Sequence, residues 1–202
     1  MQKRLTEITV APATVKLAPK VDASIATMPK TAAGLTPGVY KYQAKISVAG
    51  QEIPIKLSTM IKEEGGMYIA TDTMETPMGQ VSDEASLDKA TLEVKKRSVR
   101  QGPMAIDVAY ADGKASGKMA MNGQDRPIDA ATGGALFADS AAAQFSIGAL
   151  PLADGYKVEQ SSADGGPEKA TIWIDKASRK SVKTTSIMPA MNGETMVMEL
   201  LP

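Results

Sequence analysis

The chain contains no cysteine and no histidine. Missing cysteine excludes disulfides, a thiolate nucleophile and sulfur-rich zinc sites. It leaves the redox compartment open, because a cysteine-free chain is equally at ease inside or outside the cytosol. Missing histidine is more restrictive: Ser-His-Asp triads, Cys-His pairs, imidazole bases and histidine metal ligands are all excluded. An enzyme built on this chain is left with carboxylate, lysine, tyrosine or serine–lysine chemistry. Aromatic residues are few, with two Phe, one Trp and five Tyr against thirteen Met. Neither sign of charge is in excess, since Lys+Arg and Asp+Glu are equal at 23. The basic surplus of a nucleic-acid binder is therefore missing, and no nucleic-acid partner is expected. No apolar run reaches the roughly 18 residues of a spanning helix, so no transmembrane segment is expected.

What is there is a chain of 202 residues, 43% hydrophobic, enough for one cored domain plus an arm. Residues 1–37 read as an extended Pro/Ala-rich arm or linker, with Pro12, Pro19, Pro29 and Pro37 separated by Ala, Thr and Lys. The first four residues look like the start of an export signal. Leu5, Thr6, Glu7 and Ile8 then follow where an apolar stretch is required, so no signal peptide is visible. The arm reads equally well as a linker to a preceding domain of a larger product or as an unstructured terminus. Residues 38–202 read as the domain.

Within the domain, apolar residues alternate with period two between turns rich in Gly, Pro, Asn and Asp. Tyr40, Tyr42, Ala44, Ile46 and Val48 share one face of a first strand. Ile53, Ile55, Leu57, Thr59 and Ile61 share one face of a second, where Pro54 marks an edge or a strand start. In a third strand, Met67, Ile69 and Thr71 oppose Tyr68, Ala70 and Asp72. Residues 82–92 read as irregular structure feeding a strand over 93–101. In that strand Val94, Lys96, Ser98 and Arg100 oppose Lys95, Arg97, Val99 and Gln101; neither face is cleanly apolar, which predicts a wet side. Met104, Ile106, Val108 and Tyr110 alternate next, then Ala115, Gly117, Met119 and Met121, with tight turns at Asp112-Gly113 and Asn122-Gly123. A short strand is expected over 124–130. A helix is expected near 139–150, capped by Asp139 and ended by Pro151, with Ala141, Phe145, Ile147 and Leu150 as its apolar side. Strands resume over 156–161, 169–175, 181–188 and 194–200. The fold class is thus mainly β (α+β), with one helix packed on a curved antiparallel meander or half-barrel of roughly nine or ten strands, a number that curls rather than lies flat.

The series Asp83, Leu87, Asp88, Lys89, Arg97, Gln101, Gly102, followed by Asp112, Gly113, Lys114 and Ser116, resembles a bacterial cell-envelope domain family of unknown function. So does the later series Thr171, Trp173, Asp175, Ser178, Arg179, Lys180 and Lys183. The resemblance runs from about Gly38 to Leu200. It implies a curved antiparallel half-barrel, distantly similar to the lipoprotein carriers that shelter acyl chains under a helical lid, and a periplasmic or cell-envelope location. These motifs are turn and strand patterns and bring no catalytic residues with them. The chain departs from the family at Tyr156, which runs straight into Lys157 where the family carries a further pair of strands. A shortened barrel without a fully enclosed cavity is the expectation that follows.

Methionine carries the ligand reading. Met119 with Met121, and Met196 with Met198, are spaced by two, so each pair shares a strand face. Flexible, polarisable thioethers suit an adaptable apolar groove. Their commoner use is as filler in an aromatic-poor core, and two Met-x-Met pairs are weak evidence for the sharper option, a thioether copper(I) site. The candidate apolar ligand residues are Met67, Ile69, Met104, Ile106, Met119, Met121, Phe145 and Trp173. Arg97 and Arg100 are candidate contacts for a ligand carboxylate or phosphate. Asp72, Asp83, Glu84, Asp88 and Asp107 would support an enzyme if two of them converged in a cleft. Gly133-Gly134 and Gly165-Gly166 lack the setting of a phosphate loop, and the Asp-rich stretch from Asp72 to Asp88 lacks the spacing of a calcium loop. No catalytic residue, metal or cofactor is assigned. The expected function is a non-enzymatic cell-envelope domain that binds an apolar ligand, such as a lipid or acyl chain, in its concave face. The alternative is a structural or protein-interaction module appended to a larger secreted protein.

Overall fold

The computed structural model describes residues 28–48, 51–76, 79–132, 134–151, 157–161, 169–175, 177–188 and 193–202. Twelve strands form one antiparallel sheet: β1 (Gly38–Val48), β2 (Gln51–Glu64), β3 (Met67–Thr76), β4 (Gly79–Asp88), β5 (Val94–Gln101), β6 (Met104–Ala111), β7 (Lys114–Met121), β8 (Gln124–Ala131), β9 (Lys157–Ser161), β10 (Lys169–Ile174), β11 (Ser181–Met188) and β12 (Glu194–Leu200). Helix α1 (Ala143–Gly148) falls between β8 and β9. The strand order is β8-β7-β6-β5-β4-β3-β2-β1-β12-β11-β10-β9, so every pair of neighbours in the sheet is consecutive in sequence except β1 and β12. The sheet is open, with β8 and β9 at its two ends. This is the mainly β, antiparallel meander with one packed helix that the alternation predicts, extended to twelve strands. The expected shortening at Tyr156, and residues 1–27 of the arm, lie outside the described residues.

Turn chemistry explains much of the meander. Asp112-Gly113 and Asn122-Gly123 both take positive φ at both positions (52° and 70°, 51° and 78°), the left-handed pair that matches strand twist in a two-residue hairpin. The turn from β4 to β5 is built differently. The Asp88 carboxylate accepts the backbone N–H groups of Ala90 (2.9 Å) and Thr91 (2.8 Å) and the Thr91 hydroxyl (2.9 Å). Those bonds, Thr91 foremost, hold the Asp88 carboxyl below its ordinary range.

One face of the sheet carries the core. The register sets Tyr40 opposite Thr59, Thr59 opposite Asp72 and Asp72 opposite Asp83, so these residues project to one side. On that side Tyr40, Tyr42, Ala44, Ile46, Ile55, Ile61, Tyr68, Ala70, Ala85, Leu87 and Val94 are all buried. Complete burial of a large apolar side chain contributes about 1.5–3 kcal/mol, which makes this layer the main source of cohesion. It is roofed by residues 134–151. Phe145 sets its ring 4.6 Å from that of Tyr40, and Ala141, Ala142 and Ala149 complete the cluster. A smaller cluster joins Ile147 of the helix to Ile172 and Ile174 of β10. Residues 28–37, read from sequence as the end of the arm, lie against this roof: the amides of Ala32 and Ala33 donate to the Ala149 carbonyl (2.7 and 3.3 Å), and Leu35 is buried.

Two local expectations are corrected. Of residues 82–92, expected to be irregular, 82–88 belong to strand β4 (Gly79–Asp88). The run Ser82, Asp83, Glu84 looks too polar for a strand, but Asp83 is matched by Arg97 across the strand pair (2.8 Å) and Glu84 faces away from the core. The helix spans six residues rather than the twelve of 139–150, and Asp139 does not cap it. Ala138 and Ala142 adopt left-handed φ values of 53° and 60°, and such residues cannot continue a right-handed helical path. A bulge also alters β5: Leu87 pairs with Val94 and Ser86 with Lys96, so Val94 and Arg97 share the core side. The mixed faces of that strand are the result.

Candidate functional site

The core-side face continues beyond the roof onto β6, β7 and β8. There Met104 lies opposite Met121, and Ile106 opposite Met119. Directly opposed pairs have Cβ atoms about 4.5–5.5 Å apart, so these four side chains form one apolar surface. Neither core cluster includes them. Met104, Ile106 and Met119 are half-buried, and Met121 is 47% exposed. The neighbouring Val99 and Ile128 are also half-buried, on the same face by register.

The other sequence-nominated residues lie elsewhere. Met67 and Ile69 alternate with the buried Tyr68 and Ala70 and therefore project to the far face of the sheet. Trp173 likewise alternates with buried Ile172 and Ile174, and Lys183 sits over its ring at 5.9 Å. Phe145 is part of the core. The four residues of β6 and β7 come together; Met67, Ile69, Phe145 and Trp173 do not join them. The two Met pairs are also apart, since six strands separate β7 from β12, and Met198 is buried in the core.

Both arginines are already engaged. Arg97 donates to Asp83 through Nε (3.1 and 3.2 Å) and Nη2 (2.8 Å), and through Nη1 to the Asp139 carbonyl (3.2 Å). Arg100 projects to the far face, where Nη2 meets Asp107 (2.7 Å) and Nη1 reaches the carbonyls of Val99 and Ile106 (2.9 and 3.0 Å). Asp107 also accepts the Ser98 hydroxyl (2.6 Å), and with the Arg100 contact this holds its carboxyl below the ordinary range. The far face here is a shallow polar groove lined by Glu84, Lys96, Asp107, Ser116 and Lys118. Its charges alternate in sign, which favours neither an anionic nor a cationic ligand.

Of the five candidate carboxylates, Asp72 and Asp83 do converge, directly opposite each other on β3 and β4. They do so beneath the roof rather than in an open cleft. Asp72 accepts the Thr59 hydroxyl (2.6 Å) and the Ala142 N–H (3.1 Å). Desolvation nonetheless pushes its carboxyl up to about 6, and the neighbouring Asp83 adds to the rise. Two hydroxyls nearby in the fold, those of Tyr42 and Ser140, are buried without a hydrogen-bond partner among the described residues. Desolvation first, and Asp72 second, drive the Tyr42 phenol well above its usual value. Sequence reading named Asp72 and Asp83 but missed their pairing, which depends on β4 being a strand. Among the described residues no group of three or more Asp or Glu is arranged to hold a metal ion. No helix among them is long and apolar enough to cross a membrane.

No protein-family model matches the chain, and a search of curated proteins gives no match.

Proposed function

We propose that this is a non-enzymatic binding domain whose ligand is apolar, a lipid or acyl chain, seated on the open end of the core-side face. The observation that carries the reading is the Met104–Met121 and Ile106–Met119 surface, which is apolar, part-exposed and outside both core clusters. Thioethers on adjacent strands can repack around chains of different shape, and this suits a site that selects for apolarity rather than for one headgroup. A cell-envelope location is part of the proposal on the sequence resemblance alone. The test is titration with a fluorescent fatty acid, alongside native mass spectrometry after gentle purification. A triple Met104→Ser, Met119→Ser, Met121→Ser variant should bind the probe at least tenfold more weakly while unfolding at a similar denaturant concentration. Unchanged binding in that variant, or no binding to the native chain, sinks the reading.

The second reading, a protein-interaction module of a larger secreted protein, draws on the same part-exposed apolar surface and on the outer edge of β8, which pairs with no further strand among the described residues. Pro127 in β8 argues against simple strand addition there, because that position has no amide to donate. A stable complex recovered with unmodified native protein but lost in the triple variant, in the absence of bound lipid, would favour this reading over the first.

A further inference from the structure

The roof over the core, residues 134–151, is fastened to the sheet at a few polar points. The Val94 N–H donates to the Leu136 carbonyl (2.9 Å) near one end, and Arg179 donates to the Leu150 carbonyl (3.3 Å) at the other. Between them stand the Arg97 bond to the Asp139 carbonyl and the Asp72 bond to the Ala142 N–H. The middle of the roof is the strained part. Ala138 and Ala142 hold left-handed backbone angles, and Ser140 Oγ is buried without a partner among the described residues.

Asp72 is the anchor of that strained middle, and among the described residues it has no cation of its own. The guanidinium of Arg97 is spent on Asp83 and on the Asp139 carbonyl. The ionisable groups that act on Asp72 are Asp83 from β4 and Tyr42 from β1; Tyr40 stands beyond Tyr42 on β1, and Arg97 from β5, Tyr110 from β6 and Asp139 from the roof itself gather around Asp83, while β2 contributes the Thr59 hydroxyl and no charge. A carboxylate is thus held under the roof opposite a second carboxylate and close to two hydroxyls that lack partners among the described residues.

We propose that Asp72 makes the 134–151 roof a pH-gated cover, loosened when the carboxylate is charged and locked when it is neutral. The sign follows from where the proton is held more tightly. Under the closed roof the Asp72 carboxyl titrates at about 6, because desolvation disfavours its charge. With the roof lifted the group returns to water and to its ordinary value of roughly 4. The closed state therefore binds the proton more strongly, so closure gains as pH falls from about 6 towards 4 and the gain vanishes above that range. The Thr59 and Ala142 hydrogen bonds favour the charged form, but desolvation outweighs them; on protonation Oδ2 still accepts the Ala142 N–H, and the Oδ1 hydroxyl donates to Thr59 Oγ1, whose own hydrogen must turn to another acceptor. The inference is independent of whether any ligand enters.

Hydrogen exchange of the Phe145, Ser146 and Ala149 amides, corrected for intrinsic rates, reads the opening directly. In the native chain their protection should be about tenfold higher at pH 5 than at pH 7.5, given closed and open values near 6 and 4. Asp72→Asn, which mimics the neutral acid in size, should show the high protection at both pH values. Protection that does not change with pH in the native chain overturns the proposal, as does an Asp72→Asn variant that keeps the full change. An equal change at β7 and β8 amides also overturns it, because the effect would then belong to the whole sheet. Should the variant not fold, carbon NMR titration of the native Asp72 carboxyl decides: a midpoint near 6 supports the cover, and one near 4 refutes it.

Discussion

Strands β1–β4 and strands β6–β8 present the same face of one sheet, yet they finish it differently. In the first region the alternating residues are Tyr, Ile, Ala and Leu, and Tyr40, Tyr42, Ile61, Tyr68 and Leu87 are buried beneath Phe145 and its neighbours. In the second, Val108, Tyr110 and Ala115 near the 112–113 turn are buried or packed on the core, but towards the other end of β6 and β7 the face is Met104, Ile106, Met119 and Met121, and neither core cluster includes them. The difference lies in where the roof is fastened, not in the pattern of the strands. Residues 134–151 attach at Val94, Arg97 and Asp72, on β5 and β3, and then run towards β10 and β11. Alternation alone therefore marks a face as apolar without saying whether it is core or surface.

Substitutions can break or sharpen this contrast. The largest effect is expected at Phe145→Ala, which removes the ring stacked near Tyr40 and leaves a void in the roofed region; a loss of about 3–5 kcal/mol in urea unfolding is expected. A milder loss, under about 1 kcal/mol, would mean that the roof contributes little to cohesion. Next comes Gly117→Ala in the uncovered region. A Cβ there would collide with the Asp107 carbonyl and lie 2.9 Å from the Val108 Cα, so β6 and β7 would have to separate. About 1–3 kcal/mol of destabilisation is expected, which would show that the uncovered region is held by close backbone approach rather than by burial. A neutral result would remove that distinction. The smallest effect belongs to Met121→Thr: with Met121 47% exposed, its unfolding free energy should stay within about 0.5 kcal/mol of the native chain. A larger loss would show that the methionine face is covered after all.

Much of the fold is legible in the sequence because period-two alternation and Asp-Gly or Asn-Gly turns are local signals. The Tyr40-to-Ile46 and Ile55-to-Ile61 faces, and the hairpins at Asp112 and Asn122, follow from neighbours alone. What is not legible depends on distant partners. Asp83 makes 82–88 look like a loop until Arg97 is placed across from it. The bulge at Lys95, between the Ser86–Lys96 and Leu87–Val94 pairs, hides which side of β5 is the core side. The left-handed Ala138 and Ala142 cut the helix short, and alanine gives no warning of it. For the candidate site, the pairing of Met104 with Met121 and of Ile106 with Met119 follows from the hairpin. That Met67, Ile69 and Trp173 face away could be settled only by knowing which face of β3 and β10 the roof covers.

The docking of β12 beside β1 has a consequence for the order of events during synthesis. Strands β1 to β8 form an unbroken series of hairpins, so each can pair as soon as its neighbour leaves the ribosome. The outer edge of β1, carrying Tyr42, Ala44 and Ile46, waits for Leu200, Met198 and Met196 of β12, which follows all the other strands of the sheet. Until then the nascent chain displays a long row of unpaired backbone N–H and C=O groups in the middle of the future sheet, flanked on one face by Tyr42, Ala44 and Ile46, the kind of edge on which chains join one another instead of themselves. Slow translation of β12, or its deletion, should therefore turn a stable sheet into an aggregation template, and β12 serves as the seal that ends the risk.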